Sequence, residues 1–148
     1  MNGDISVRSA SALSLSLFGL DVHQVQIMAE VEDRPAVFRL AGIIDAAARE
    51  ARSRVSSTLR GLGVDLDSYS VVVTIEPPQK ATSVNQHDLA LAAVILAAVG
   101  RIPDQALAGV ALLGELAYDG SIRPVHGILP ALRGAEEQGI SRFIVPRG

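Results

Sequence analysis

The chain contains no cysteine and no tryptophan, and aromatic residues make up only 3% of its 148 residues. The absence of cysteine excludes disulfides, thiolate metal sites and cysteine nucleophiles. The scarcity of aromatic rings leaves few flat surfaces on which nucleic-acid bases could stack. Ala, Val, Leu and Ile must therefore fill the core, which suits a compact packing of helices on a sheet.

Basic residues are also fewer than acidic ones. The chain carries 13 Lys and Arg against 16 Asp and Glu, a formal net charge of −3, and so lacks the basic footprint of a nucleic-acid-binding domain. Its histidines, His23, His87 and His126, are far apart in sequence and lack the spacing of metal ligands. We therefore expect no metal and no other cofactor in this chain.

The sequence offers no clear membrane or export signal. The apolar segment Ala10–Leu20 is too short to cross a bilayer and is interrupted by serines. It also lacks a cluster of basic residues ahead of a small-residue cleavage site. We expect a cytoplasmic protein with no membrane partner.

Motifs for common enzyme chemistry are missing too. No glycine-rich phosphate cradle follows a strand, and no G-x-S-x-G elbow presents a serine. We interpret His87 as a solvated loop side chain and Asp88 as a carboxylate stabilised by the free N–H groups of a helix start. Lys80 is interpreted as a surface charge, and Glu115 as a charge or hydrogen-bond anchor for a hairpin.

The first third of the chain has the period of strands and then of a helix. Alternating apolar and polar residues predict strands over Ala12–Phe18, Val22–Glu32 and Val37–Leu40, which short connections would join as an antiparallel meander. From Ile43 to Leu62 the period becomes helical. The predicted apolar stripe of that helix comprises Ile44, Ala48, Ala51, Val55, Leu59 and Leu62.

Three arginines of this helix, Arg49, Arg52 and Arg60, lie together on the flank beside the apolar stripe, and Arg54 lies further round. Such a flank is a candidate contact for phosphates or for an acidic protein surface.

The β-branched run Ser70–Ile75 predicts a central strand that ends at two prolines. An irregular loop, Gln79–Asn85, follows. Gln86 or Asp88 then opens an almost wholly apolar helix. The remaining predicted elements are this helix over Leu89–Val99, a strand over Ala108–Leu113, a hairpin of Glu115–Ala117 and Ser121–Arg123, a helix over Gly127–Gln138 and a strand over Ser141–Val145.

This order of elements predicts one domain over residues 1–148. The fold class is α+β, a two-layer α/β arrangement with helices over a mixed sheet.

Several short motifs resemble the amino-terminal domain of magnesium-chelatase-like AAA+ proteins, the competence protein ComM family. Phe38–Ala47 is similar to F-x-[LI]-V-G-L-P-[DE]-x-A, and Arg49–Val55 to K-E-A-[RK]-[DE]-R-V. His87–Ala92 resembles [FY]-D-L-P-I-A, Leu113–Leu116 resembles L-G-E-L, and Asp119–Val125 resembles [DS]-G-x-[LI]-R-P-V. The five motifs occur in the family's order and at its spacing.

The resemblance implies a Lon-protease-like fold, also called ribosomal protein S5 domain 2-like. Lon proteases use a Ser–Lys dyad, whose two positions fall here at Asp88 and Leu129. A carboxylate is a poor replacement for an activated hydroxyl, and leucine cannot act as a base. We therefore expect no peptidase activity.

The resemblance further implies an AAA+ domain, absent from this chain, that binds ATP and Mg²⁺ and assembles into hexamers. The leading hypothesis is a non-catalytic scaffold, oligomerisation or binding module. It would contact its own AAA+ domain, neighbouring subunits or DNA, the DNA through Arg49, Arg52 and Arg60.

Two alternatives remain open. One is a Lon-like peptidase that pairs Ser83 or Thr82 with Lys80, and the other is a free-standing interaction domain. The loop Gln79–Gln86 lacks the K-E-G that the family has before D-L-P-I-A, so the cleft beside it is expected to differ.

Overall fold

A computed structural model describes residues 7–18, 21–35, 37–80 and 84–147. These residues form three α-helices, eight strands and three short 3₁₀ turns. The helices are α1 (Asp45–Gly61), α2 (Asp88–Ala98) and α3 (Ile128–Glu137). The strands are β1 (Val7–Phe18), β2 (Asp21–Glu32), β3 (Val37–Ile43), β4 (Ser70–Gln79), β5 (Val110–Leu112), β6 (Glu115–Leu116), β7 (Ile122–Arg123) and β8 (Arg142–Ile144). The 3₁₀ turns are Leu66–Ser68, Asn85–His87 and Asp104–Leu107.

Six strands form one mixed sheet in the order β3-β4-β2-β1-β5-β8, while β6 and β7 form a separate hairpin. β1 and β2 pair antiparallel along their whole length, and β4 pairs antiparallel with β2. The other pairings are parallel: β3 pairs with β4, β5 with β1, and β8 with β5. The predicted α+β class is confirmed.

The predicted antiparallel meander is wrong for its third strand. β3 pairs with β4 rather than with β2, and the crossover through α1 makes that pairing parallel. Parallel neighbours need such a long connection. β4 has the more continuous apolar run, which favours the central place, so β3 lies at the edge.

The predicted stop of β4 at its prolines is also wrong, because the strand continues to Gln79. Pairing with β2 ends at the Gln26–Glu76 pair. Neither Pro77 nor Pro78 therefore has to donate an N–H to β2, which is the condition under which a strand tolerates proline.

α1 and α2 cover one face of the sheet and enclose the larger core. The predicted stripe of α1 is confirmed for Ala48, Ala51, Val55 and Leu59, which are buried, whereas Ile44 and Leu62 lie exposed just beyond its ends. α2 is buried on most sides, as predicted. This core also contains Val25, Ile27, Val31, Val71, Val73, Ile75, Leu91 and Ile95.

α3 packs on the other face of the sheet over a smaller core that includes Leu15, Val22 and Ala135. Because both faces are covered here, β1 is buried on both sides around Ser14, Leu15 and Ser16, whereas Ser9 and Ser11 nearer its start are exposed. Its serine side, with Ser14 and Ser16, is buried towards α2.

No helix in the described ranges is long and apolar enough to cross a membrane.

Gly134 sets the distance between α3 and the sheet. A Cβ added there would overlap the side chain of Val22, with its Cγ2 nearest and its Cβ only 2.8 Å away. A side chain of any size would push the helix away from β2.

We predict that Gly134→Ala lowers the free energy of unfolding by about 1–3 kcal/mol, the usual effect of overpacking. The loss should appear even though alanine favours a helix over glycine by about 1 kcal/mol. Gly61→Ala is the matched control, because nothing lies within 4 Å of a Cβ added at that helical position. Urea denaturation of the two variants decides, and equal stability would contradict the close packing.

Candidate functional site

A cleft of about 430 Å³ opens where the end of β1, the 3₁₀ turn before α2 and the start of α3 meet. Its volume is within the range of ligand pockets. Apolar side chains provide most of its lining, and Asn85, Gln86, Glu115 and His126 add polar groups. The apolar lining consists of Leu15, Leu17, Leu113, Pro124, Val125, Ile128 and Ala131.

The cleft exists because β1 extends further along the sheet than its neighbour β5. β1 pairs with β5 at Leu13 and Ala111. After β5 the chain leaves the sheet and forms the β6–β7 hairpin. Among the described residues no strand pairs with this side of β1 beyond Leu13, where Leu15 and Leu17 line the cleft. An unpaired strand edge presents backbone N–H and C=O groups that can pair with another chain.

A buried ion pair lies beside the cleft. Arg54 of α1 donates from Nε to Asp88 Oδ2 at 2.6 Å and from Nη2 to Asp88 Oδ1 at 3.1 Å. The backbone N–H of Leu116 donates to the same Oδ2 at 3.0 Å. Asp88 is 0% and Arg54 8% exposed. Asp88 opens α2 as expected, but its carboxylate accepts from Arg54 and from the N–H of Leu116 rather than from the free N–H groups of the helix start.

The electrostatics of this pair reflect burial opposed by mutual attraction. Burial lowers the pKa of Arg54, but the hydrogen bond and charge of Asp88, together with the charges of Glu115 and Tyr118, outweigh burial, so the pKa rises overall. Burial raises the pKa of Asp88, and the hydrogen bonds from Arg54 and Leu116 offset this only in part. Because a guanidinium keeps its proton in proteins, the geometry is that of an ion pair at neutral pH.

His87 is 0% exposed, so its interpretation as a solvated loop side chain is wrong. The 3₁₀ turn Asn85–His87 carries its ring against the serine side of β1. Ser14 Oγ lies 2.6 Å from Nδ1, and Ser16 Oγ lies 3.3 Å from Nε2. Ser14 and Ser16 meet the same ring because alternate residues of a strand share a face.

The hydrogen-bond chain fixes the tautomer of His87. Gln79 Nε2 donates to the carbonyl of Pro77 at 2.7 Å, so its Oε1 faces Ser16 and accepts from that hydroxyl at 2.7 Å. The single proton of Ser16 is then used, and its oxygen can only accept from Nε2–H. Nδ1 of His87 is consequently the acceptor for Ser14.

The two positions of the implied dyad are not brought together in the cleft. Asp88 is enclosed with Arg54, and Leu129 is 69% exposed on α3. The described cleft lining includes Gly127, Ile128 and Ala131, the neighbours of Leu129, but not Leu129 itself.

The other predicted site residues are dispersed. Lys80 is exposed, and its proposed partners Thr82 and Ser83 lie outside the described residues. The arginine flank is on the surface of α1, where Arg49 and Arg60 are exposed and Arg52 is half-buried. Glu115 begins the predicted hairpin and lines the cleft.

Arg54 and Asn85 were not identified from the sequence. The signal for Arg54 was present, since it lies three residues after buried Ala51 and four before buried Thr58, within the buried side of α1. A lone arginine in such a place needs an acid, and Asp88 at the start of an apolar helix is a candidate.

In the described part of the chain no cluster of three or more His, Asp or Glu could hold a metal ion.

We predict that Asp88→Asn lowers the free energy of unfolding by about 3–5 kcal/mol, because it leaves the buried charge of Arg54 without a counter-charge. Asp45→Asn is the matched control, since Asp45 occupies the first turn of α1 but is exposed. Losing its interaction with the helix dipole should cost only about 0.3–1 kcal/mol. Thermal or urea unfolding measures both, and similar losses would show that the ion pair is unimportant.

Burial lowers the pKa of His87 to about 4 from its ordinary value of 6.5. Its contribution to stability is therefore complete above pH 6.5 and is lost as the pH falls towards 4. The linkage relation gives a loss of about 2 kcal/mol between pH 7 and pH 5.

We predict that urea denaturation of the wild-type chain over this pH range shows that loss, and that His87→Gln reduces it. His126→Gln, at an exposed position, is the control and should retain the wild-type dependence. An unchanged pH dependence in His87→Gln would contradict the buried neutral imidazole.

Comparison with known proteins gives a family and several relatives. Residues 25–148 match the family described as subunit ChlI of Mg-chelatase. An uncharacterized protein of Mycobacterium tuberculosis is 34% identical over 135 residues, which are 91% of this chain and 27% of that protein. Competence protein ComM of Haemophilus influenzae is 27% identical over 128 residues, which are 86% of this chain and 25% of that protein.

An archaeal Lon protease of Pyrococcus abyssi is 28% identical over 109 residues, which are 73% of this chain and 11% of the protease. The chain thus spans about a quarter of the length of the mycobacterial protein and of ComM.

Proposed function

This chain belongs to the family described as subunit ChlI of Mg-chelatase, and from that premise we propose that it is a non-catalytic, Lon-protease-like binding module of a ComM-like AAA+ protein. The proposal includes the ribosomal protein S5 domain 2-like fold and a cytoplasmic location. ATP and Mg²⁺ would bind an AAA+ domain outside this sequence. The module would contact that domain or neighbouring subunits of a hexamer.

The proposal rests on the residue that occupies the nucleophile position implied by the resemblance. Asp88 occupies it, and both of its carboxylate oxygens accept hydrogen bonds inside the protein. A catalytic nucleophile must reach the reacting carbon atom of its substrate. Asp88 has no exposed surface with which to do so.

The cleft nevertheless offers a place for a ligand. Its apolar lining suits side chains, and the unpaired edge of β1 beyond Leu13 suits an extended backbone. Together these features fit strand addition, in which backbone hydrogen bonds give affinity and pockets for alternate side chains give specificity. We propose that the module binds an extended polypeptide segment of a partner.

DNA contact through Arg49, Arg52 and Arg60 is the second candidate function. The exposure of Arg49 and Arg60 on α1 favours it, and the net charge of −3 opposes it. Its signature would be binding that weakens steeply with salt, because phosphate contacts release counterions.

We predict that the chain binds extended peptides without cleaving them. An array of twelve-residue peptides, in which Leu, Val or Ala alternates with Ser, should retain the protein. Methylation of alternate backbone nitrogens in the bound peptides should abolish binding if a strand is added. A fluorescence-quenched version of the same peptides should show no turnover.

Three results would contradict this proposal. Cleavage that is lost in Lys80→Ala would support the alternative peptidase. Failure of all the peptides to bind would remove the polypeptide ligand. Salt-sensitive binding of duplex DNA, reduced by Arg49→Ala together with Arg60→Ala, would favour DNA as the partner.

A further inference from the structure

We infer that Asn85 is the residue that recognises the ligand backbone in the cleft, donating from its amide to a carbonyl of a bound polypeptide that carries no acidic groups. The inference deepens the proposed function and rests on it. Asn85 both lines the cleft and touches the buried ion pair. It is thus placed between the ligand site and a rigid part of the fold.

The orientation of the Asn85 amide follows from the chemistry of its neighbour. Arg54 Nη2 lies 2.9 Å from Asn85 Oδ1. A guanidinium only donates hydrogen bonds, so the side-chain oxygen of Asn85 must face it. The Nδ2 group then lies on the other branch of the amide, and no hydrogen bond of Nδ2 occurs among the described residues. Asn85 therefore offers donors to the cleft.

Neighbouring hydrogen bonds hold both the side chain of Asn85 and the backbone next to it in place. Arg54 is held by two hydrogen bonds to Asp88, so its guanidinium cannot turn away from Asn85 without breaking the buried pair. The backbone next to Asn85 is fixed as well, because the carbonyl of Gln86 accepts from the N–H of Gly114 at 3.0 Å. A recognition group held by such a second layer of contacts keeps its direction when the ligand is absent.

Glu115 supplies the complementary group. It is half-buried, lines the cleft, and lies opposite Arg123 in the hairpin register. Within the described ranges its carboxylate makes no hydrogen bond or ion pair, although its charge acts on the nearby Arg54 and Asp88, so its oxygens can still accept from a ligand. A donor at Asn85 and an acceptor at Glu115 match the C=O and N–H groups of a polypeptide backbone.

The charge of Glu115 also selects among ligands. It is the only acidic side chain among the described residues that line the cleft, and it disfavours phosphates and carboxylates there. The apolar lining offers no aromatic ring for a base to stack on. These features favour a polypeptide with apolar or basic side chains over nucleic acid in this cleft.

The test uses the whole chain and a fluorescein-labelled twelve-residue peptide of alternating Leu and Ser, measured by fluorescence anisotropy. Asn85→Asp replaces the donor by an acceptor while keeping a partner for Arg54, and should weaken binding at least about tenfold. Asn85→Ala removes the donor without adding charge and should weaken binding about three- to tenfold. Gln105→Glu makes the same amide-to-acid change at an exposed position outside the cleft and should bind as the wild type does.

Peptide charge provides a second readout. One Lys added to the peptide should strengthen wild-type binding, one Glu should weaken it, and Glu115→Gln should reduce both effects. Thermal unfolding of each variant shows whether the fold is kept.

The outcomes separate the two proposals. Failure of the wild-type chain to bind any peptide would overturn the proposed function. Wild-type binding that Asn85→Asp and Asn85→Ala both leave unchanged would overturn only the role of Asn85.

Discussion

The ion pair between Arg54 and Asp88 joins four parts of the molecule at one point. Arg54 comes from α1, Asp88 from the start of α2, and the N–H of Leu116 from the hairpin, while Asn85 belongs to the turn before α2. A buried charge pair is stable only when its remaining donors and acceptors are also satisfied. These contacts pair both carboxylate oxygens of Asp88 and the Nε and Nη2 groups of Arg54, and in doing so they set the position of the hairpin and turn that line the cleft.

A second buried polar chain links the start of α2 to the sheet through uncharged groups. It runs from Ser14 through His87 and Ser16 to Gln79, and joins β1 to the end of β4. Because each hydroxyl and ring nitrogen has a defined role as donor or acceptor, the chain permits one arrangement of these side chains. The two polar chains meet at neighbouring residues, His87 and Asp88, so the start of α2 is fixed from both sides.

The sequence predicted elements whose signals are local, and it failed where distant residues decide. The helices and the Asp119–Gly120 hairpin follow from short-range periodicity and turn residues, and the structure has them within a few residues of the predicted bounds. The continuous apolar run of β4 favours a central place for that strand, but which strand pairs with it at the edge depends on distant residues. His87 is buried against serines more than seventy positions away, which no single segment shows. The buried place of Arg54 follows from the period of α1, but its partner lies 34 positions away and is set by the fold.

The Arg54–Asp88 pair limits which residues position 88 can hold. A substitution of Asp88 by serine would supply a hydroxyl, but it would also leave the guanidinium of Arg54 buried without a counter-charge. The loss of stability, about 3–5 kcal/mol, is a large part of the 5–15 kcal/mol that separates a typical folded domain from its unfolded chain. Serine at position 88 would therefore be tolerated best together with a replacement of Arg54 that removes the buried charge.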